Sequence, residues 1–120
     1  MPNPVVHFEI VGRDGKKLQS FYSDLFGWNV DANNPMDYGM VEAQDGHGIG
    51  GGITAAGDQG RAPGVTVYAE VPDLQATLDK AASMGGKMVM PPMEVPGGPM
   101  LAMFQDPEGN LIGIIKSGSM

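Results

Sequence analysis

Apolar and polar positions follow the same succession of periods twice along the chain. Residues 5–11 are mostly apolar, as in a buried strand, and residues 14–26 carry apolar side chains at helical spacing. Three shorter apolar runs follow, separated by turn-forming residues. They predict strands at residues 28–30, 38–43 and 49–54.

The second half repeats this order. Residues 65–71 predict a strand, Asp73 predicts the start of a helix, and Gly85-Gly86 predicts its end. Strands are then predicted at residues 87–90, 100–105 and 111–116, the first of them ended by Pro91-Pro92. The glycine-rich residues 55–64 between the halves are typical of a linker. We therefore predict one α+β domain over residues 1–120, with βαβββ modules at about 4–55 and 64–117.

Glycine and turn residues add two local expectations. Gly50-Gly51-Gly52 falls inside a predicted strand, where glycine often marks the close approach of another backbone or a ligand. Asp14 is expected to cap the first helix, and Gly27 to end it.

Composition excludes several classes of function. The chain has 120 residues, no cysteine and a net charge of −7. The acidity argues against nucleic acid as a partner, and the absence of cysteine favours a reducing cytoplasm. No apolar run approaches the roughly 18 residues that a membrane span needs, and the N-terminus does not resemble a signal peptide. We therefore expect a cytoplasmic protein whose partner is a small-molecule ligand.

Two modules with one helix each leave a sheet face to enclose a ligand cavity. On the first strand His7 and Glu9 share a face, and Tyr68 and Glu70 share the corresponding face of the second module. With Met103 as an apolar wall, this set suits an aromatic or cationic ligand. The alternative for each residue is structural: a hydrogen-bonded histidine, a core tyrosine, a solvated glutamate or a core methionine.

Several short motifs occur in the order and spacing of one known family. They are His7-Phe8-Glu9-Ile10, Phe21-Tyr22 before Leu25-Phe26-Gly27-Trp28, Val71-Pro72-Asp73-Leu74, and Asp106-Pro107-Glu108-Gly109-Asn110. This pattern resembles the vicinal oxygen chelate superfamily, which includes glyoxalase I, bleomycin-resistance proteins and extradiol dioxygenases. The resemblance implies two βαβββ modules that form a curved mixed sheet around a cavity, and a homodimer.

The resemblance also implies where a divalent metal would be held. His7 matches the first ligand position, and the last ligand position falls on Gly113. The other two fall near Thr66 or Tyr68 and within Gly50-Gly51-Gly52. A single imidazole does not hold a divalent ion in competition with water. We therefore expect no metal or other cofactor, with a divalent metal held through His7 as the alternative.

Three functions remain open. The first is metal-free binding of a small organic ligand, similar to bleomycin-resistance proteins. The second is a metal-dependent enzyme of the glyoxalase, lyase or dioxygenase type that uses His7. The third is a non-catalytic subunit or sensor module. Fold alone does not choose among them, and whether the chain is an enzyme stays open.

Overall fold

The computed structural model describes residues 2–44, 46–56, 63–95 and 97–119, and these contain two helices and eight strands. Neither helix has the length and apolar character needed to cross a membrane. In chain order the elements are β1 (Val5–Gly12), α1 (Gly15–Phe26), β2 (Val30–Asp31), β3 (Gly39–Val41), β4 (Gly50–Ala55), β5 (Gly64–Val71), α2 (Leu74–Ser83), β6 (Lys87–Glu94), β7 (Met100–Gln105) and β8 (Leu111–Lys116).

Contacts divide the chain into two compact units. The N-terminal unit is His7–Thr66, and the C-terminal unit combines the residues up to Val6 with those from Val67 onward. Each unit contains one helix and strands in both parallel and antiparallel pairing. The predicted α+β fold with two βαβββ modules is confirmed.

In the N-terminal unit the strands lie in the order β2, β3, β4, β1. The β2–β3 and β3–β4 pairs are antiparallel, and β4 runs parallel to β1. The parallel register places His7 opposite Gly50 and Glu9 opposite Gly52. This register brings the glycine run beside the polar residues of β1.

The C-terminal unit repeats this arrangement with β6, β7, β8 and β5. Helix α2 covers one face of these strands through Leu74 and Leu78, which pack with Val71, Ala102 and Ile114. A second cluster contains Tyr68, Met103 and Ile115. Because side chains alternate along a strand, this second cluster lies on the face opposite α2.

Both helices begin and end where the sequence predicts. The Asp14 carboxylate accepts a hydrogen bond from the Lys17 amide, and Gly27 ends α1 in the left-handed conformation with φ 71°. Asp73 caps α2 in the same way through the Ala76 amide. These aspartates satisfy amide groups that the first turn of a helix leaves without partners.

The apolar stripe of α1 differs from the simplest expectation. Phe21, Leu25 and Phe26 are each more than half exposed, whereas Gln19 is the buried residue of the helix. The Gln19 amide donates hydrogen bonds to the carbonyl groups of Ile53 and Asp37, at 2.8 and 3.1 Å. The side chain that α1 buries against the sheet is therefore the polar Gln19, whereas the pattern predicts that apolar side chains are buried there.

The prediction that Pro91-Pro92 ends a strand is wrong, because β6 continues through both prolines to Glu94. Among the strands of the C-terminal unit β6 pairs with β7 alone, so it is an edge strand of that unit. Its register shifts between Met88 and Met90 and again between Met90 and Met93. Proline is tolerated at such irregularities and at a sheet edge, where its missing N–H breaks no ladder.

Two predicted strands of the N-terminal unit are shorter than expected. Residues 28–30 give only Val30–Asp31, and residues 38–43 give Gly39–Val41. The first and last residues of the predicted linker belong to strands, since β4 ends at Ala55 and β5 begins at Gly64. Its residues 57–62 lie outside the described residues, as do Asp45 and Pro96.

Candidate functional site

The polar residues of β1 point away from helix α1. Phe8 lies 5.5 Å from Trp28 between ring centroids, and Trp28 in turn stacks on Tyr22 of α1. Successive side chains of a strand point to opposite faces, so His7 and Glu9 lie on the face opposite α1. This face carries the candidate site of the N-terminal unit.

One phenol connects the imidazole and the carboxylate there. The Tyr38 hydroxyl donates a hydrogen bond to Oε2 of Glu9 at 2.9 Å, and its oxygen lies 2.9 Å from Nε2 of His7. The Tyr38 and His7 rings are stacked, with an angle of 17° between their planes. Glu9 is 6% exposed, so this carboxylate is buried and hydrogen-bonded. We call these three residues the His7–Tyr38–Glu9 group.

The loop between β2 and β3 holds Tyr38 by its backbone. The Asn34 side chain accepts a hydrogen bond from the Tyr38 amide at 2.9 Å and donates one to the Tyr38 carbonyl at 2.7 Å. The neighbouring Asp37 has φ 52°, in the left-handed region, and its carbonyl accepts the bond from Gln19. A conformation that is uncommon for a residue other than glycine is thus held by two side-chain amides.

Gly52 leaves the space that the Tyr38 ring occupies. A β-carbon at position 52 would overlap the end of the Tyr38 ring and its hydroxyl oxygen. At Gly51 it would instead overlap the Phe8 ring, on the other face of the sheet. At Gly51 and Gly52 the close neighbours are therefore aromatic side chains, where the sequence predicts another backbone or a ligand.

Burial lowers the pKa of His7 below its ordinary value, and the nearby negative charge of Glu9 partly opposes this shift. The desolvation effect is the larger one, because the imidazolium loses more hydration than the carboxylate returns in attraction. The lowered pKa favours the neutral form of the imidazole at physiological pH. A neutral imidazole can act as a hydrogen-bond acceptor or a base.

The other predicted site residues lie in the C-terminal unit. Tyr68 and Met103 are both 3% exposed and belong to one apolar cluster with Ile115. Tyr68 pairs with Gly113 across the parallel β5–β8 ladder, and a β-carbon at Gly113 would overlap the Tyr68 ring. Glu70 is partly buried, and its amide donates to the Pro4 carbonyl. A tyrosine ring thus covers a glycine in each unit.

The metal site that the resemblance implies does not fit these residues. Tyrosine rings fill the space beside Gly113, which is one implied ligand position, and beside Gly52, which belongs to the glycine run that contains another. At Gly50 a β-carbon would lie 3.0 Å from the Val41 carbonyl oxygen. In the parts of the chain that the structure describes, no three His, Cys, Asp or Glu side chains are placed to hold a metal ion.

Sequence reasoning missed Tyr38 in the candidate site, together with Asn34 and Gln19, which hold the loop that carries it. Tyr38 stood at the start of a predicted strand, where its ring had no assigned face. The one available signal was the glycine run, since glycines inside a strand leave room for a bulky neighbour. Nothing in the sequence pairs Asn34 or Gln19 with the backbone groups that they contact.

Two surface clefts lie elsewhere among the described residues. One of about 270 Å³ lies between the end of α2 and the turn after β7, beside Ala81, Met84 and Pro107. The other, of about 440 Å³, follows the polar side of α1 near Lys16 and Ser20. Neither brings buried polar groups together as the His7–Tyr38–Glu9 group does. We therefore place the candidate site by its chemistry and not by cleft volume.

Comparison with known proteins gives a consistent picture of the fold. The sequence model of the Glyoxalase/Bleomycin resistance protein/Dioxygenase superfamily matches residues 5–114. The solved structure of methylmalonyl-CoA epimerase from Mycobacterium tuberculosis superposes with a TM-score of 0.65 at 19% identity, covering 93% of this chain and 86% of that one.

Two curated relatives are longer than this chain. CFP32 of Mycobacterium tuberculosis is 26% identical over 107 residues, which cover 84% of this chain and 41% of that protein. The anthracycline biosynthesis protein DnrV of Streptomyces peucetius is 28% identical over 134 aligned positions, covering 99% of this chain and 49% of DnrV. The chain therefore spans less than half the length of these relatives.

Proposed function

Because the chain belongs to the Glyoxalase/Bleomycin resistance protein/Dioxygenase superfamily, we propose that it binds a small organic ligand, aromatic or cationic, without a metal. One observation carries the proposal: the buried Glu9 carboxylate and the His7 imidazole are joined through the Tyr38 hydroxyl. Polar groups that converge on an otherwise apolar fold are the usual means by which a binding site orients its ligand.

The chemistry beside Gly52 supports binding without a metal. The Tyr38 phenol takes the space that a ligand-bearing side chain at position 52 would need. Hydrogen bonds and charge at His7, Tyr38 and Glu9 then replace coordination as the source of affinity. The similarity to an anthracycline biosynthesis protein also favours a small organic ligand.

Isothermal titration calorimetry against four classes of aromatic compound tests this proposal. The classes are protonated amines, quaternary ammonium ions, phenols and carboxylates. We expect saturable binding of at least one class, weakened at least tenfold in the variants His7→Ala and Tyr38→Phe, because a lost hydrogen bond to a charged or buried group costs about 1.5–3 kcal/mol. His47→Ala is the matched control, since His47 is exposed. Absence of saturable binding across the panel would contradict the proposal.

A second candidate function is acid–base catalysis, and the same hydrogen-bonded chain favours it. An imidazole, a phenol and a carboxylate in series can take up and return a proton. The structural similarity to an epimerase agrees with such a role. Incorporation of deuterium from D₂O into carbon acids beside a carbonyl group, followed by NMR and lost in His7→Ala, would support it.

A metal-dependent enzyme is the alternative that the geometry disfavours. Elemental analysis of the purified protein decides it. A stoichiometric transition metal that disappears in His7→Ala would replace the binding proposal. The homodimer and the cytoplasmic location stay predictions.

A further inference from the structure

The Tyr38 hydroxyl has one hydrogen and lies within hydrogen-bond distance of both Glu9 and His7. It gives that hydrogen to Oε2 of Glu9, since a carboxylate can only accept. The same oxygen lies within hydrogen-bond distance of Nε2 of His7. The Tyr38 oxygen must therefore act as the acceptor in that contact, and Nε2 of His7 must carry a hydrogen.

The direction of these two hydrogen bonds determines whether the other polar atoms of His7 and Glu9 donate or accept. A neutral imidazole with its hydrogen on Nε2 has a lone pair on Nδ1. An ionised carboxylate such as that of Glu9 carries no hydrogen, so both of its oxygens act only as acceptors. Any additional contact that these atoms make is therefore made as an acceptor.

From this polarity we infer that the His7–Tyr38–Glu9 group selects ligands that donate hydrogen bonds, with protonated amines as the class that it fits. The inference rests on the proposed function and narrows its ligand. The net charge of −7 also attracts a cation. A ligand that offers only acceptor atoms cannot form a hydrogen bond with the Glu9 carboxylate or with Nδ1 of His7, because neither side of such a contact supplies a hydrogen.

The backbone contacts of Tyr38 make this polarity a fixed property of the site. Asn34 holds both the amide and the carbonyl of Tyr38, and Gly52 leaves room for its ring. The hydroxyl is thus held beside Glu9 and His7 in the ligand-free protein. A preorganised site of this kind loses little entropy when it orients a ligand.

The first test determines which ring nitrogen of His7 carries the hydrogen, and it needs no ligand. Long-range ¹H–¹⁵N correlation spectra of ¹⁵N-labelled protein distinguish the two neutral tautomers of imidazole. The chain contains two histidines, so His7→Gln assigns the signals and His47 serves as the internal reference. We expect the Nε2–H tautomer at His7. The Nδ1–H tautomer would overturn the inference and leave the proposed function standing.

The second test compares two cations that differ by one methyl group. Protonated N,N-dimethylbenzylamine has one N–H, whereas benzyltrimethylammonium has the same charge and none. We expect calorimetry to show at least tenfold tighter binding of the amine, and an advantage reduced at least threefold in Glu9→Gln. Equal affinities would overturn the inference.

The same panel separates this inference from the proposed function. Saturable binding of benzoate without binding of either cation would overturn the inference and support the proposed function. If no panel compound binds, both fail. Gly51→Ala is the matched structural control, because its new methyl group would meet Phe8 on the opposite face, and the amine's advantage should survive it.

Discussion

Each unit places a tyrosine ring over a glycine at the corresponding position of its parallel ladder, but the two rings have different surroundings. In the C-terminal unit Tyr68 comes from β5 and lies over Gly113, its partner in the parallel ladder. In the N-terminal unit the corresponding ladder pair is Glu9 and Gly52, and Tyr38 comes from the loop before β3. Glu9 and Tyr68 stand equally far, five residues, before their helix-capping aspartates.

This difference determines what each sheet face can do. Tyr68 packs with Met103 and Ile115 in an apolar cluster, so its ring contributes mainly to stability. Tyr38 contacts an imidazole and a carboxylate, so its hydroxyl belongs to the hydrogen-bonded group of the candidate site. The comparison teaches that one repeated architecture can place a tyrosine ring in an apolar cluster in one module and beside an imidazole and a carboxylate in the other, according to which strand or loop supplies the ring.

Among the variants that test this comparison, Tyr68→Ala is expected to change the free energy of unfolding most. Removing a buried aromatic ring should lower the free energy of unfolding by about 3–5 kcal/mol, because a cavity remains in the cluster. Urea denaturation followed by circular dichroism measures it. Tyr38→Ala is the matched control and should cost less, since Tyr38 is only partly buried. Equal losses would show that both rings are structural.

Alanine at the two glycines should have an intermediate effect. Gly113→Ala and Gly52→Ala each force a methyl group into a tyrosine ring, and overpacking of this kind costs about 1–3 kcal/mol. Gly113→Ala should cost more, because the buried Tyr68 has less room to move.

Double-mutant cycles sharpen this prediction. Tyr38→Ala should relieve Gly52→Ala, with a coupling energy of about 0.5–3 kcal/mol, and should not relieve Gly113→Ala. Thermodynamic coupling measured by urea denaturation checks this. Coupling of Gly52→Ala to Tyr68→Ala of the same size would contradict the pairing of each ring with its own glycine.

Much of the fold could be predicted because its signals are local. The capping aspartates, the left-handed Gly27 and the bounds of β7 and β8 all follow from side chains near them in sequence. The incorrect end predicted for β6 at Pro91-Pro92 also came from a local signal. A proline excludes a central strand position, but whether a strand lies at an edge is a property of the whole sheet.

The candidate site was only half predictable for the same reason. Alternation along one strand places His7 and Glu9 on a common face, which requires no knowledge of the rest of the fold. Tyr38 reaches that face because Asn34 and a left-handed Asp37 shape the loop before it. No periodic pattern encodes such a loop, so the phenol that joins the two residues becomes visible only in three dimensions.

A smaller effect is expected from Asn34→Ala. Loss of the hydrogen bonds to the Tyr38 backbone should lower the free energy of unfolding by about 1–2 kcal/mol, because each typical bond contributes about 0.5–1.5 kcal/mol. It should also weaken ligand binding, because Tyr38 loses its fixed position. Asn33→Ala is the matched control, since Asn33 is exposed. If Asn34→Ala loses stability and keeps full ligand affinity, Asn34 does not position the phenol.

The smallest effect concerns pH, because two opposing influences act on His7. Burial lowers the pKa of the folded-state imidazole below about 6.5, and Glu9 partly restores it. As the pH falls through about 6.5, the unfolded chain takes up a proton before the folded one does, so the free energy of unfolding should decrease. The stabilisation is therefore complete above this pH and is lost toward the lower pKa of the folded state. Urea denaturation read by Trp28 fluorescence between pH 7.5 and 5 should show this slope flattened in His7→Gln and retained in His47→Gln. A slope unchanged by His7→Gln would mean that His7 is not the buried neutral imidazole of the site.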